Sequence, residues 1–493
     1  MQILMVASEA VPFVKTGGLA DVVSALSKQL KKNGHDVRIV MPRYYRIDRS
    51  RLTLLPGALG IPLGFGQVWA GVYEGRLPES DVPVYFLDHE GLYGRDGVYG
   101  EFGGSYPDNA SRFVALSRGA FQLCKKLGWY PDIMHLHDWP TAPAAVILNT
   151  WEKSGYFTKT ASVLTIHNLG YQGWFPKDDL TLFQLPWEEF YESGLERHDS
   201  LNFLKAGILK SDLITTVSPT YAREIQTGGY GEGLQDVLAQ RRGDLYGVLN
   251  GCDYDEWNPE TDKYIPFNYS DRTLKEKARN KEALQRELGL TADASVPLIG
   301  MVSRFAEQKG FGALCGPGSG SLYPICRDMK VQFVILGTGE PWCEEELRRL
   351  DAALPNLRAE IRFSNALAHK IEAAADFFLM PSAYEPCGLN QMYSLRYGTL
   401  PIVRRTGGLA DTVWQYGEAD GGGNGFLFDD LTPNALYNVV GWAVSTWYDR
   451  PNHIDRMRKT AMARRFGWDQ SAAEYEKLYA AAFEKRKRFH NLY

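Results

Sequence analysis

An α/β fold of two doubly wound domains facing a central cleft is predicted by three observations. Short apolar runs alternate with amphipathic helical stretches, the alternation restarts near residue 298 after a polar break, and one eight-residue motif occurs twice.

The first series opens as strand, turn, helix, strand. Residues 3–7 are apolar, Gly17-Gly18 turns the chain, residues 19–32 are amphipathic, Asn33-Gly34 stops the helix, and residues 35–41 return as a strand. This is a βαβ unit. Residues 133–136, 163–166, 213–217 and 245–249 are further short apolar runs, each followed by a loop and a helical pattern, so a parallel sheet is predicted. The polar stretch 253–273, with Pro259 and Pro266, and the charged helix expected over 274–288 read as an interdomain crossing. Runs at 298–302, 331–336, 361–363, 377–380 and 400–403, with a helix expected over 366–375, form the second series. From residue 432 the pattern is mainly helical and ends in Lys485-Arg486-Lys487-Arg488, read as a solvated helix end favoured by the helix dipole. The expected domains are residues 1–253 and 254–472, with a C-terminal helix over about 473–493 packing back on the first.

Composition narrows the function classes. Among 493 residues, 54 Lys and Arg stand against 59 Asp and Glu, a net charge of −5 that argues against coating a nucleic acid. No apolar run is long enough to span a bilayer, so no membrane partner is expected. The six cysteines form no C-x-x-C pair, and no histidine cluster has zinc-ligand spacing, which fits a reducing cytoplasm. Met1-Gln2 leads directly into residues 3–7, so no cleavable leader is expected and the protein is expected to be cytoplasmic.

The repeat is the most informative local signal. Thr16-Gly17-Gly18-Leu19-Ala20-Asp21-Val22-Val23 recurs as Thr406-Gly407-Gly408-Leu409-Ala410-Asp411-Thr412-Val413, each copy preceded by a cation, Lys15 or Arg405. Glycine pairs between a strand and a helix also serve simply as tight turns. Two copies, each beside a cation, favour anion binding by bare backbone amides at a helix N-terminus. In doubly wound folds such loops lie beyond the carboxyl ends of the strands, so both copies are expected to face one cleft.

Other glycine-rich ligand loops are absent. Gly337-Thr338-Gly339 lacks the third glycine of G-x-G-x-x-G, Trp342 standing in its place, and no G-x-x-x-x-G-K-[ST] loop occurs. Arg304 and Lys309, five residues apart after a strand, suit a diphosphate as a fork plus a point charge. Glu385 follows the strand expected at 377–380. His135-Leu136-His137-Asp138-Trp139 and His167-Asn168 close two strands of the first series, and imidazole, carboxylate and indole at neighbouring strand ends suit a sugar. His135 and His137 are expected on opposite faces of their strand, which argues against a metal site.

These motifs closely resemble the bacterial glycogen synthases and plant starch synthases, nucleotide-sugar glucosyltransferases with two Rossmann-like domains of the type called GT-B. The resemblance spans nearly the whole chain. It rests on Lys15 to Asp21, Pro42-Arg43-Tyr44, Tyr106-Pro107-Asp108-Asn109, His137-Asp138-Trp139, Thr165-Ile166-His167-Asn168, Val217-Ser218-Pro219-Thr220-Tyr221, Leu249-Asn250-Gly251, Arg304 to Gly310, Glu385-Pro386-Cys387-Gly388-Leu389 and Thr406 to Val413.

The resemblance implies transfer of glucose from ADP-glucose to the non-reducing end of an α-1,4-glucan such as glycogen, with retention at the anomeric carbon and no cofactor or essential metal. Carried over by motif, Arg304 and Lys309 hold the diphosphate, with Lys15 and the Gly18 backbone completing the clamp. Glu385 matches the family's essential carboxylate, expected on the donor glucose. Asp138, His167 and Asn250 match residues around that sugar, and Trp139 and Tyr93 shape its surroundings. Asp21, Cys387, Gly388, Leu389, Thr406, Gly407 and Gly408 belong to the matched substrate-binding motifs. Phe363 falls where related enzymes often carry a tyrosine on the adenine. Donor phosphate ligands from both halves imply closure on binding.

Retention leaves two routes open, a nucleophile on the β-face or same-face attack by the acceptor; the second is preferred because no residue stands out as the nucleophile. Two departures mark this chain. Residues 311–320 are glycine-rich with Pro317 where the family has a regular helix, so a broken helix is expected, and Pro140 replaces a histidine common after the Asp-Trp pair. The rival readings are a catalytically silent glucan- or nucleotide-sugar-binding protein and a phosphorylase using pyridoxal phosphate, for which no lysine stands out.

Overall fold

The computed structural model describes residues 1–101 and 103–489. The chain divides into two compact units, one comprising Met1–Gly251 and the segment from Trp468 onward, the other Cys252–Gly467.

In the first unit seven strands run parallel, in the order Leu245–Gly247, Leu213–Thr216, Ala161–Ile166, Ile133–His137, Gln2–Val6, Asp36–Pro42, Pro83–Asp88. The central strands are buried along their whole length, which is why they read as continuous apolar runs. Beyond Pro83–Asp88 the sheet turns antiparallel through Gly66–Arg76, which pairs with Thr53–Leu54 and Leu59–Leu63. This antiparallel edge departs from the expected all-parallel sheet. Its strands are half exposed and carry glycines and prolines, so no apolar run marks them.

The second unit holds six parallel strands in the order Leu357–Ile361, Gln332–Gly337, Leu298–Val302, Phe377–Met380, Leu400–Arg404, Phe426–Phe428. Numbered within the unit this is 3-2-1-4-5-6, the doubly wound dinucleotide-fold order, whose direction reverses between Leu298–Val302 and Phe377–Met380. The strand expected at 361–363 lies earlier, at Leu357–Ile361, because Leu-Arg-Ala-Glu-Ile is half exposed and has no apolar run.

The polar stretch after Cys252 is packed onto the second unit. Trp257 stacks between His369 and Tyr393, with ring centroids 3.8 and 4.0 Å away, and Asp262 accepts from the Tyr397 hydroxyl at 2.6 Å. The charged helix Lys275–Glu287 buries part of its charge, Lys281 pairing with Asp376 at 2.6 Å.

Helix Trp468–Phe489 returns to the first unit a few residues before the expected boundary. Trp468 packs so close to Gly251 that a Cβ there would lie 2.6 Å from the indole, and the Tyr479 hydroxyl meets His135 Nδ1 at 2.8 Å. The basic run at 485–488 is not wholly solvated: Arg486 is buried and bonds Asn149 at 2.7 Å. Residues 490–493 of the expected helix lie outside the described residues. The six cysteines are buried, and none forms a disulfide. Among the described residues no helix is long and apolar enough to cross a membrane.

Candidate active site

In the second unit the site grows from three neighbouring strand ends at the reversal of strand order. Leu298–Val302 leads into Arg304 and Lys309, Phe377–Met380 into Glu385, and Leu400–Arg404 into Thr406-Gly407-Gly408. Such a switch point opens a crevice beyond the strand ends, where ligands of this fold sit.

Close backbone contact stitches the loops together. The Ala383 amide donates to the Gln308 carbonyl at 2.8 Å, and Gly310, at φ +80°, approaches Pro381 so closely that a Cβ would lie 2.0 Å from its carbonyl oxygen. Lys309 Nζ thereby donates to Glu385 Oε2 at 2.5 Å, and Ser382 Oγ donates to the same oxygen at 2.9 Å. Glu385 is buried, and both bonds use Oε2, leaving Oε1 for a ligand. Arg304 is exposed, and its guanidinium makes no hydrogen bond or ion pair among the described residues. The expected helix break is present: Phe311–Cys315 ends at Gly316 and a second helix spans Leu322–Asp328, yet Lys309 still reaches Glu385.

The two copies of the repeated motif sit differently. In the first, a Cβ on Gly17 or Gly18 would meet nothing within 4 Å, and the N-cap residue of helix Gly18–Lys32 is Gly17, which has no side chain to cap it. Lys15 bonds Asp21 there, at 2.9 Å. In the second, the Gly408 amide expected on an anion donates instead to the Glu385 and Pro386 carbonyls, at 3.1 and 3.2 Å. A Cβ on Gly407 would lie 1.8 Å from the Glu385 carbonyl oxygen, and one on Gly408 2.0 Å from that of Cys387. The second glycine pair therefore braces the Glu385 loop, and Gln391 Nε2 holds the Cys387 and Gly388 carbonyls from the other side, each at 3.0 Å. Gly388 takes φ +73°, and Leu389 lies half-buried at the start of helix Asn390–Arg396. Phe363 stands 90% exposed after its strand, free to stack on a planar ligand.

In the first unit strand order reverses between Gln2–Val6 and Ile133–His137, which sets the residues following them side by side. Asp138 follows the second strand with φ 55°, a left-handed conformation costly for a non-glycine residue. Its Oδ1 accepts the His167 amide at 2.6 Å. Burial pushes its pKa up to about 8 against the pull of the His167 and Asn168 amides, and the charge of Glu9 adds to the rise. Burial pushes His167 down to about 3, so its imidazole is neutral, and its Nε2 meets His137 Nδ1 at 3.0 Å. His135 and His137 share one face, with ring centroids 4.3 Å apart, which corrects the expectation of opposite faces: residues two apart on a strand point the same way. Among the described residues no group of three His, Cys, Asp or Glu could hold a metal ion.

Asn250 is buried with its Oδ1 lacking a hydrogen-bond partner. Trp139 packs among Tyr99, Phe113 and Phe175. Tyr93 is buried in full and donates to the Arg112 carbonyl at 2.7 Å, so it acts on this region only through packing. Glu9, Tyr99 and Ser382 were not singled out by sequence. A carboxylate immediately after the first strand, in Ser8-Glu9, was the available signal for Glu9; Tyr99 and Ser382 had none.

Residues 2–240 match the family model described as the starch synthase catalytic domain, and residues 296–445 match that of glycosyl transferases group 1. A glycogen synthase of Treponema denticola is 53% identical over 487 residues, covering 99% of both chains. The chain belongs to the glycogen and starch synthase family of glycosyltransferases. Glycogen synthase 1 of Geobacter metallireducens is 50% identical, covering 99% of this chain and 97% of its own. The catalytic domain of starch synthase IV from Arabidopsis thaliana, solved bound to ADP and acarbose, superposes with a TM-score of 0.87 at 31% identity, covering 98% of this chain and 99% of its own. Membership in the glycogen and starch synthase family accords with the GT-B architecture and with strand ends, in each unit, that gather the residues singled out by motif.

Proposed function

We propose that the chain transfers the glucosyl group of ADP-glucose to the non-reducing end of an α-1,4-glucan, lengthening glycogen with retention at the anomeric carbon. The observation that carries this reading is the Lys309–Glu385 pair at the switch point of the second sheet.

Breaking the bond between C1 and the diphosphate oxygen leaves an anion on one side and an electron-poor sugar on the other. An ammonium has three N–H donors; Lys309 spends one on Glu385 and keeps two for phosphate oxygens. Arg304 offers its fork to the same diphosphate, and Lys15 with the Gly18 amide adds to it. These fixed cations supply charge stabilisation that other glycosyl transfers draw from a metal, so activity should persist in EDTA. Glu385 Oε1 takes the donor glucose hydroxyls, while Asp138, His167, Asn250 and Trp139 surround the sugar. Phe363 stacks on the adenine.

For the retaining step, the acceptor O4 attacks C1 from the face the leaving group quits. Its proton passes to the departing phosphate oxygen, which receives the bonding electrons. Two features support this route over a covalent one. Glu385 Oε2 is already committed to Lys309 and Ser382, and Asp138, with its pKa pushed up to about 8, is mostly protonated at neutral pH and a poor nucleophile.

Incubating the protein with ADP-glucose and glycogen in EDTA, measuring ADP and identifying the new linkage by NMR, tests the reading. ADP released in step with new α-1,4 bonds is the expected result. No release, or new β-linkages, would refute it.

A further inference from the structure

Lys15 to Gly18 are four consecutive exposed residues, yet the loop is tied from below at one point. Glu9, 2% exposed, accepts the Thr16 amide on Oε2 at 2.5 Å and the Thr16 hydroxyl on Oε1 at 2.9 Å. The Tyr99 hydroxyl donates to Oε1 at 2.8 Å and is itself joined to Ser8 Oγ at 2.7 Å. A buried carboxylate is tolerated only when its lone pairs are filled, and here the filling groups are the backbone and side chain of the loop itself.

We propose that Glu9 is a positioning residue for the donor diphosphate: by taking the Thr16 amide and hydroxyl from beneath, it fixes Lys15 and turns the following amides of helix Gly18–Lys32 outward. The inference rests on the donor role given to Lys15 and Gly18 above. The chemistry is specific to this corner, because helix Gly18–Lys32 has glycine at its N-cap and no side chain of its own capping it. An open glycine turn that must approach a diphosphate without Cβ atoms gains no rigidity from its glycines. Glu9 supplies that rigidity from the end of the adjoining strand. Tyr99 connects it to the wall around Trp139, its ring centroid lying 6.0 Å from the indole. Aspartate would be too short to span both Thr16 groups, and glutamine keeps one acceptor oxygen while its NH2 forces the hydroxyls that now donate to Glu9 to turn round and accept.

The test is Glu9→Gln, with hydrogen exchange of the peptide spanning residues 15–19 measured by mass spectrometry alongside steady-state kinetics. Faster exchange in that peptide is expected, together with a rise of about tenfold in the ADP-glucose KM, an unchanged glycogen KM and a smaller change in kcat. In a Lys15→Ala background the same substitution should add little to the KM, since the loop's main contact is already gone. Thr16→Val, which removes only the hydroxyl bond, should move both readouts the same way by less, and serves if Glu9→Gln does not fold. Unchanged exchange in either folded variant would overturn the proposal, as would equal losses for donor and glycogen. Faster exchange in a protein whose wild type leaves ADP-glucose intact would uphold Glu9 as the tie of this loop while refuting the donor role it was given.

Discussion

The ammonium of Lys309 and the carboxylate of Glu385 meet at 2.5 Å although 76 residues separate them, because the strands preceding them are neighbours where the second sheet reverses its order. The pair sets the ammonium proposed for the diphosphate beside the carboxylate proposed for the sugar hydroxyls. The pair is largely buried, with side chains 20% and 8% exposed, so removing one partner strands the other in a poorly solvated place.

Lys309→Ala should therefore lower kcat/KM for ADP-glucose by at least about a hundredfold, the typical loss on removing a donor that stabilises developing negative charge. Glycogen binding should be unchanged. Initial-rate kinetics in donor, with a glycogen pull-down for the acceptor, check both halves. Equal losses in both would remove Lys309 from the donor side.

The two motif copies should respond oppositely to alanine. Gly408→Ala places a Cβ 2.0 Å from the Cys387 carbonyl oxygen, so the Glu385 loop must move, with an expected stability loss of about 1–3 kcal/mol and a fall in kcat. Gly18→Ala meets nothing within 4 Å and should leave thermal stability unchanged while raising the donor KM. Melting curves and donor titrations on both variants separate a brace from a binding surface.

Asp138 makes stability depend on pH. Its pKa, pushed up to about 8, lies above the unfolded value, so the native state holds a proton the unfolded chain has released. The contribution is fully present below the unfolded carboxylate range and is lost as pH rises to about 8, by up to about 1.4 kcal/mol per pH unit. Asp138→Asn should flatten this limb in denaturant melts between about pH 4 and 8, the interval separating the two pKa values. An unaltered slope would place the Asp138 pKa near its ordinary value.

Phe363 is 90% exposed and carries no core, so Phe363→Ala should leave the melting temperature in place. If its ring stacks on the adenine, ADP should bind about 5- to 150-fold more weakly, the range that loss of one base-stacking contact brings. Calorimetric titration with ADP measures it, and an unchanged Kd would move the base elsewhere.

What could be read from the sequence follows burial. Strands covered on both faces, such as Ile133–His137 and Phe377–Met380, stand out as apolar runs, and the chemistry at their carboxyl ends was found with them. Leu357–Ile361 and the antiparallel edge escaped because half-exposed strands admit arginine, glutamate, glycine and proline. The partnership of Gly408 with the Glu385 loop was hidden for a different reason: bare amides facing an anion and bare amides facing a carbonyl demand the same glycine. Glu9 was hidden because its partners, Thr16 and Tyr99, are ordinary residues whose meeting depends on the loop's path.

The most direct test of the account is the rate of glucose incorporation from ADP-glucose into glycogen by the wild-type chain and by Glu385→Gln, with ADP binding measured on both. The account predicts transfer by the wild type, a loss of about a thousandfold in the variant, and ADP binding retained in both. Wild-type rates in Glu385→Gln, or ADP-glucose left intact by the wild type, would contradict it.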